Sequence, residues 1–216
     1  ILTTILNQAK LGMRAGDIES ARKHFEKILD SSRKAAKVTT GVLALARNRS
    51  SRFEMTDVAA VVEQVLVVCD KDLRKNKIEV SCDFTHRPQA EIVPSQVEQV
   101  ILNLVINARQ AMREGGSFRI SVSENHASQM VEIALADSGC GIPAENLPRI
   151  FEPFYTTKLG PDDSGQGGSG LGLSLCKEII GRHHGRIRVD STIGKGTTFT
   201  IKLPKHHPTQ PTQQAA

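Results

Sequence analysis

The chain has 216 residues, with 28 Lys and Arg against 23 Asp and Glu, a formal net charge of +5 and 39% hydrophobic residues. That length allows one or two domains with a buried core, and the composition is that of a globular chain rather than a disordered one. No apolar run approaches the roughly 20 residues that a membrane-spanning helix needs. Cys69, Cys82, Cys140 and Cys176 are far apart with no C-x-x-C, which argues against a zinc site or disulfide framework and for a reducing, cytosolic setting. The basic residues are scattered among acidic ones at helical spacing, and there are no Trp and only one Tyr. Neither nucleic acid nor a membrane surface is therefore an expected partner. No signal peptide precedes the first helix, and a start at Ile1 reads as part of something longer, in which a membrane anchor is left open.

Residues 1–49 read as a helical hairpin. Leu2, Ile5, Leu6, Ala9, Leu11 and Met13 recur near a 3.6 period until Ala15-Gly16-Asp17 breaks it. Asp17 is placed to cap a second helix, whose stripe runs through Ala21, Phe25, Ile28, Leu29, Ala36, Val42, Leu43 and Ala46. Two antiparallel helices cannot enclose a core, so a four-helix bundle with a second copy is the simplest completion. The polar stretch Arg47 to Arg52 reads as a linker into a domain over 50–203. Thr56-Asp57 caps a helix through Cys69, and residues 78–84 alternate like a strand. Pro94-Ser95 opens a long helix that Gly115-Gly116 stops. Strands are predicted at 117–124, 130–137, 186–191 and 197–203, with a helix over 171–183. The interleaving predicts an α+β fold, a two-layer sandwich. Residues 204–216, rich in Pro, Gln, Thr and Ala, read as a disordered tail or linker.

Four segments carry chemistry. In N-L-V-I-N-A-R-Q-A-M (103–112), Asn103 and Asn107 stand four apart and share a helix face. Their amide oxygens suit magnesium, which keeps waters and substrate phosphates in its other positions. The plain alternative is two surface amides. In D-S-G-C-G-I (137–142), Asp137 ends an apolar strand, where its carboxylate can accept from an exocyclic amine such as that of adenine, and the glycines allow close backbone approach. A tight turn with a capping Asp would look the same. F-E-P-F-Y-T-T-K (151–158) leads through a polar, glycine-rich stretch, a lid by its length, into G-S-G-L-G-L (168–173). Glycines at a helix start expose amides to phosphate, although a long loop rather than a strand leads into them, so this is no Rossmann fingerprint. In G-K-G-T-T-F-T-I (194–201), Thr197 shares the inner face with Phe199 and Ile201, where its hydroxyl is placed to help Asp137 hold a base, while Thr198 is predicted to face solvent.

In this order the segments resemble the N, first-glycine, F, second-glycine and third-glycine boxes of the sensor histidine kinase ATP-binding domain. That domain belongs to the gyrase, chaperone, kinase and mismatch-repair ATPase superfamily, and the resemblance covers residues 53–203. It implies that ATP and Mg2+ are bound, with Asn107 on the metal, Asn103 supporting the phosphates and Asp137 on the adenine amine. Gly139 and Gly141 would shape the adenine pocket, with Ile142 and Thr197 beside them. Residues 155–169, with Lys158, would form a mobile lid, and Gly168, Gly170, Leu171 and Gly172 would surround the triphosphate. Gln110 and Ala111 stand where many such kinases carry a basic residue and an aromatic, which puts stacking on adenine in doubt and resembles the nitrogen-regulator-like branch.

Hydrolytic superfamily members place a Glu at the position of Asn103. An amide cannot take a proton from water, so the chain reads as a histidine kinase rather than an ATPase. The hairpin resembles the family's dimerisation and phosphotransfer domain, where the acceptor His opens H-E-x-x-N-P-L-T-x-I. Only the end of that motif matches I-L-T-T-I, placing the acceptor about five residues before Ile1. His24 is expected to be solvent-exposed and not an acceptor, His183-His184 structural, and His206-His207 part of the tail. The implied partners are a second copy of the chain and a response-regulator receiver domain. A nucleotide-binding pseudokinase scaffold is the alternative.

Overall fold

The structure, a computed structural model, describes residues 2–29, 31–32, 52–84, 86–157 and 170–206. The chain divides into two units, one holding the first two helices and the other all the remaining elements.

In the first unit, α1 spans Leu2–Met13 and α2 covers 18–29. The break between them is made as expected. Asp17 accepts from Ser20 N–H at 2.7 Å and from Ser20 Oγ at 2.8 Å, and these bonds hold its carboxyl below its ordinary value. His24 differs from its expected exposure: it is half-buried, and its Nδ1 lies 2.7 Å from Gln8 Oε1. A Cβ at Gly12 would lie 3.3 Å from His24 Cβ, so α1 supplies both the space and the polar partner that bring the imidazole in. Residues 33–50, including the expected second half of the hairpin and most of the linker, lie outside the described residues.

The second unit opens with β1 (Glu54–Asp57) and α3 (Val58–Lys75), capped by Asp57 Oδ1 accepting from Ala60 N–H at 3.1 Å. Then follow β2 (Ile78–Asp83), β3 (Gln89–Ile92), α4 (Pro94–Ala111), β4 (Gly116–Asn125) and β5 (Met130–Asp137). The last elements are α5 (Gly172–Arg182), β6 (Arg186–Thr192) and β7 (Gly196–Pro204). Five strands form one sheet in the order β2-β4-β5-β7-β6, and β1 pairs with β3 in a second. Only β2 and β4 run parallel; the other neighbours are antiparallel. Alternate residues Phe118, Ile120 and Val122 of β4, Val131, Ile133 and Leu135 of β5, and Phe199, Ile201 and Leu203 of β7 are buried. They meet the apolar stripes of α3, α4 and α5, giving the two-layer sandwich.

Three boundaries differ from the sequence reading. The short strands β1 and β3 were not foreseen, because four residues give too little alternation to read. Helix α3 continues to Lys75, about 1.7 turns beyond Cys69 at 3.6 residues per turn. Helix α4 stops at Ala111, short of Glu114, because Met112 leaves helical geometry with ψ 59°. Among the described residues, no helix is long and apolar enough to cross a membrane.

Arg87 ties the segment before β3 to α3. Its Nε donates to Asp57 Oδ2 at 2.7 Å, and its two terminal nitrogens donate to Glu63 at 2.9 Å each. At the other end, His183 is 1% exposed and has both ring nitrogens engaged, the structural role expected of it. Nε2 accepts from Val93 N–H at 3.0 Å, and Nδ1 donates to Ile179 O at 2.8 Å. A backbone donor on one side and a carbonyl on the other select the neutral Nδ1–H tautomer. Replacing this ring with an apolar one strands the Val93 N–H in the core. His183→Leu is expected to lower stability by about 1–3 kcal/mol, seen as a shifted urea midpoint at constant slope. An unchanged midpoint would contradict the assignment.

Candidate nucleotide site

Helix α4 is fixed by one apolar face. Val97, Val100, Ile101, Leu104, Val105 and Ala108 are at most 3% exposed. Asn103 and Asn107 are half-buried beside that face, stacked one turn apart as their spacing predicts. Asn103 packs against the start of α5: a Cβ at Gly172 would lie 3.7 Å from its Oδ1. One turn further along α5, the Cys176 thiol donates to Val100 O of α4 at 3.9 Å. That thiol is fully buried, and burial pushes its pKa up to about 12. Arg109 turns away from this face, its Nε 3.1 Å from Asp72 Oδ2 on α3 but not aimed as a hydrogen bond.

A second cluster forms where β5 meets β7. Asp137 pairs in register with Thr197, and its Oδ1 accepts from Gly139 N–H at 2.9 Å. Burial raises the Asp137 carboxyl above its ordinary value, against the lowering effect of the Gly139 and Thr197 backbone donors. Thr197 is 5% exposed, on the inner face as expected. Its neighbour Thr198 is half-buried on the outer face of the sheet rather than fully open, because β5 and β6 flank it on both sides.

The Thr197 hydroxyl does not turn to Asp137. Ser191 Oγ donates to Gly196 O and accepts from Ile142 N–H, at 2.9 and 2.8 Å, so the 2.9 Å contact with Thr197 Oγ1 needs the threonine as donor. The Thr197 hydroxyl is thus spent on Ser191, which ties Ile142, β6 and β7 together. The sequence reading missed Ser191. Its only signal was a hydroxyl at the end of β6, facing the turn into Gly196.

The glycines of D-S-G-C-G-I have separate roles. A Cβ at Gly139 would stand 2.6 Å from Ala111 Cβ, and Cys140 N–H donates to Ala111 O at 3.2 Å. The first-glycine segment is thus laid directly on the end of α4. Gly141 has φ +74°, and a Cβ there would come within 2.2 Å of Thr192 O. The following turns are anchored by Tyr155, whose hydroxyl donates to Asn146 Oδ1 at 2.7 Å and whose ring lies under Arg149. Gly170 and Leu171 lead into α5, whose first residue is Gly172. Lys158 and Gly168, with most of the predicted lid, lie outside the described residues.

The structure therefore gathers Asn103 with Gly172, and Asp137 with Gly139 and Thr197, while Gly141 and Ile142 join the second group through β6. Two neutral amide oxygens and a helix start fit magnesium held with phosphates and water, a set that needs no cluster of charged ligands. Among the described residues there is no such cluster of His, Cys, Asp or Glu. Gly141→Ala is expected to destabilise the fold by more than about 1 kcal/mol, since it meets backbone at a left-handed φ. Gly181→Ala, in α5 with nothing within 4 Å, is expected to stabilise it by up to about 1 kcal/mol. Thermal denaturation of the two variants side by side checks the contrast, and equal effects would refute it.

Comparison with known proteins gives this geometry a family. The family model described as histidine kinase-, DNA gyrase B-, and HSP90-like ATPase matches residues 92–207. Among curated relatives, the signal transduction histidine-protein kinase AtoS of Escherichia coli (strain K12) is 36% identical over 173 residues, 78% of this chain and 26% of AtoS. The sensor histidine kinase ZraS of the same organism is 34% identical over 78% of this chain and 34% of its own length. The chain thus spans only about a quarter to a third of the length of these two relatives. A solved nucleotide-free catalytic domain of histidine kinase ThkA is 30% identical, with a TM-score of 0.63, covering 71% of this chain and 98% of that one. ThkA in complex with the response regulator TrrA shares the fold, with a TM-score of 0.68 at 24% identity over 97% of this chain and 59% of that one. With two amides on one helix and a half-buried carboxylate at a strand end, bonded to the glycine turn that follows it, the chain belongs to the histidine kinase-, DNA gyrase B- and HSP90-like ATPase family, as a sensor histidine kinase catalytic domain.

Proposed function

We propose that this chain binds ATP with Mg2+ and acts as the catalytic part of a two-component sensor kinase, passing the γ-phosphoryl group to a histidine on a helical bundle. The observation that carries the reading is the half-buried Asp137 carboxylate, its pKa raised by desolvation and its Oδ1 held by the Gly139 N–H. A partly desolvated acceptor-only group asks for a further donor, and the adenine amine supplies one. Asn107 would hold the metal and Asn103 the phosphate side, with the amide of Gly172 at the start of α5 toward the triphosphate. Bound Mg2+ would supply charge neutralisation at the transferring group. The protein side of the chemistry is then positioning and desolvation, with no proton to abstract from water at Asn103.

The domain division supporting this reading is a hairpin over 1–49, a catalytic domain over 50–203 and a tail from 204. Leu6, Met13, Ile18 and Phe25 of the hairpin are 61–89% exposed, which favours a second copy of the chain as the bundle partner. A response-regulator receiver domain, the kind of partner held by ThkA, is the proposed phosphoryl acceptor beyond the histidine.

Calorimetric titration tests the site. Mg-ATP is expected to bind, and Asp137→Asn to weaken it about 10- to 100-fold, the worth of a hydrogen bond to a charged group. Affinity should also fall on acidification, because a protonated Asp137 loses its acceptor charge. Since burial raises that pKa, the midpoint should lie above the ordinary 3.8. Tight binding by Asp137→Asn, or a flat acid profile, would remove the adenine assignment. The seven histidines of the chain include none in the family's acceptor motif. Incubation with radiolabelled ATP is therefore expected to leave no acid-labile phosphoryl group on these 216 residues, and a label abolished by His24→Ala would overturn that expectation.

A further inference from the structure

We infer that Ser191, at the end of β6, is a positioning residue that makes the base pocket select an amino purine over an oxo purine, acting through Thr197. The inference rests on the nucleotide reading above and extends it to base specificity. Three hydrogen bonds carry it. Ser191 Oγ accepts from Ile142 N–H at 2.8 Å, donates to Gly196 O at 2.9 Å and lies 2.9 Å from Thr197 Oγ1. A serine hydroxyl has one proton and two lone pairs. The Gly196 carbonyl takes the proton and the Ile142 amide takes one lone pair, which leaves the other for the Thr197 proton. The capacity of this oxygen is then full.

The consequence falls on Thr197. It pairs in register with Asp137 across β5 and β7, and directly opposed residues put their side chains on one face, with Cβ atoms about 4.5–5.5 Å apart. With its only proton spent on Ser191, the threonine oxygen has lone pairs alone to offer beside the carboxylate. Two neighbouring acceptors suit the amine of adenine, which carries two N–H bonds, and oppose a carbonyl at the same position of the base. The same serine also braces the frame around the pair. Gly196, whose carbonyl it binds, has no room for a Cβ against Asp137 O, and Ile142 ends the D-S-G-C-G-I turn. Ser191 would touch no nucleotide; it would fix the proton of a neighbour that does.

Equilibrium affinities of the whole chain for Mg-ATP and for magnesium inosine triphosphate, whose base has a carbonyl in place of the amine, test this. The parent is expected to favour ATP by at least about tenfold. Ser191→Ala is expected to narrow that ratio about three- to tenfold, because Thr197 regains a proton to donate. Ser191→Thr, which keeps the hydroxyl, is expected to hold the ratio within about twofold of the parent. In the Thr197→Val background, Ser191→Ala is expected to leave the ratio unchanged, since the oxygen it controls is gone. A serine that merely braces the fold predicts an equal loss for both nucleotides with the ratio intact. That outcome overturns the inference, as does a parent that binds the two nucleotides alike. If Ser191→Ala fails to fold, Ser191→Cys, a weaker acceptor of similar shape, is expected to narrow the ratio in the same direction, and an unchanged ratio there overturns the inference equally. Failure of the parent chain to bind Mg-ATP would instead sink the nucleotide reading itself, and is told apart by appearing before any substitution is made.

Discussion

Everything at the candidate site is referred to the rotational setting of α4. Turning this helix would expose Val97, Val100, Ile101, Leu104 and Val105, all essentially inaccessible, and burial of each such side chain is worth roughly 1.5–3 kcal/mol. The apolar stripe therefore holds Asn103 and Asn107 at one edge with an energy no single polar contact could match. The end of the same helix also receives the D-S-G-C-G-I turn, through the Gly139 contact and the Cys140 bond to Ala111. A single rigid element thus reaches both groups of site residues, one at its middle and one at its end.

The second group is less comfortable energetically. A carboxyl whose folded pKa is raised contributes most to folding while protonated, and that contribution is lost as the pH climbs through the raised value. At neutral pH the ionised Asp137 is a liability that the Gly139 and Thr197 donors reduce without removing. The core of the sheet, from Ile120 and Ile133 to Ile201, carries that cost. This corner is thus one where the fold gives up some stability.

Much of this was legible in the chain because local rules and global fold agree. The alternation of Thr197, Phe199, Ile201 and Leu203 matches their burial, the Asp17 and Asp57 caps are formed, and the four-residue spacing of Asn103 and Asn107 survives as a shared face. What was not legible depends on distant partners. Nothing near β1 announces that β3 will pair with it, and Ser191 gains its role only when Ile142 and Thr197 arrive from either side. His24 was misjudged for the same reason, since the Gln8 that draws it inward lies 16 residues away.

The close approach of Gly139 to Ala111 has a consequence for how this corner can diverge. With 2.6 Å available to any Cβ at 139, a side chain there is excluded while Ala111 and the backbone behind it stay in place. A larger residue at 111 must in turn direct itself away from the glycine. The two positions lie in different boxes yet share one volume, so substitutions at them are epistatic rather than additive. A lineage that exchanges the small residue at 111 for an aromatic does so against a fixed glycine at 139, whereas a lineage that loses the glycine must also move the end of α4.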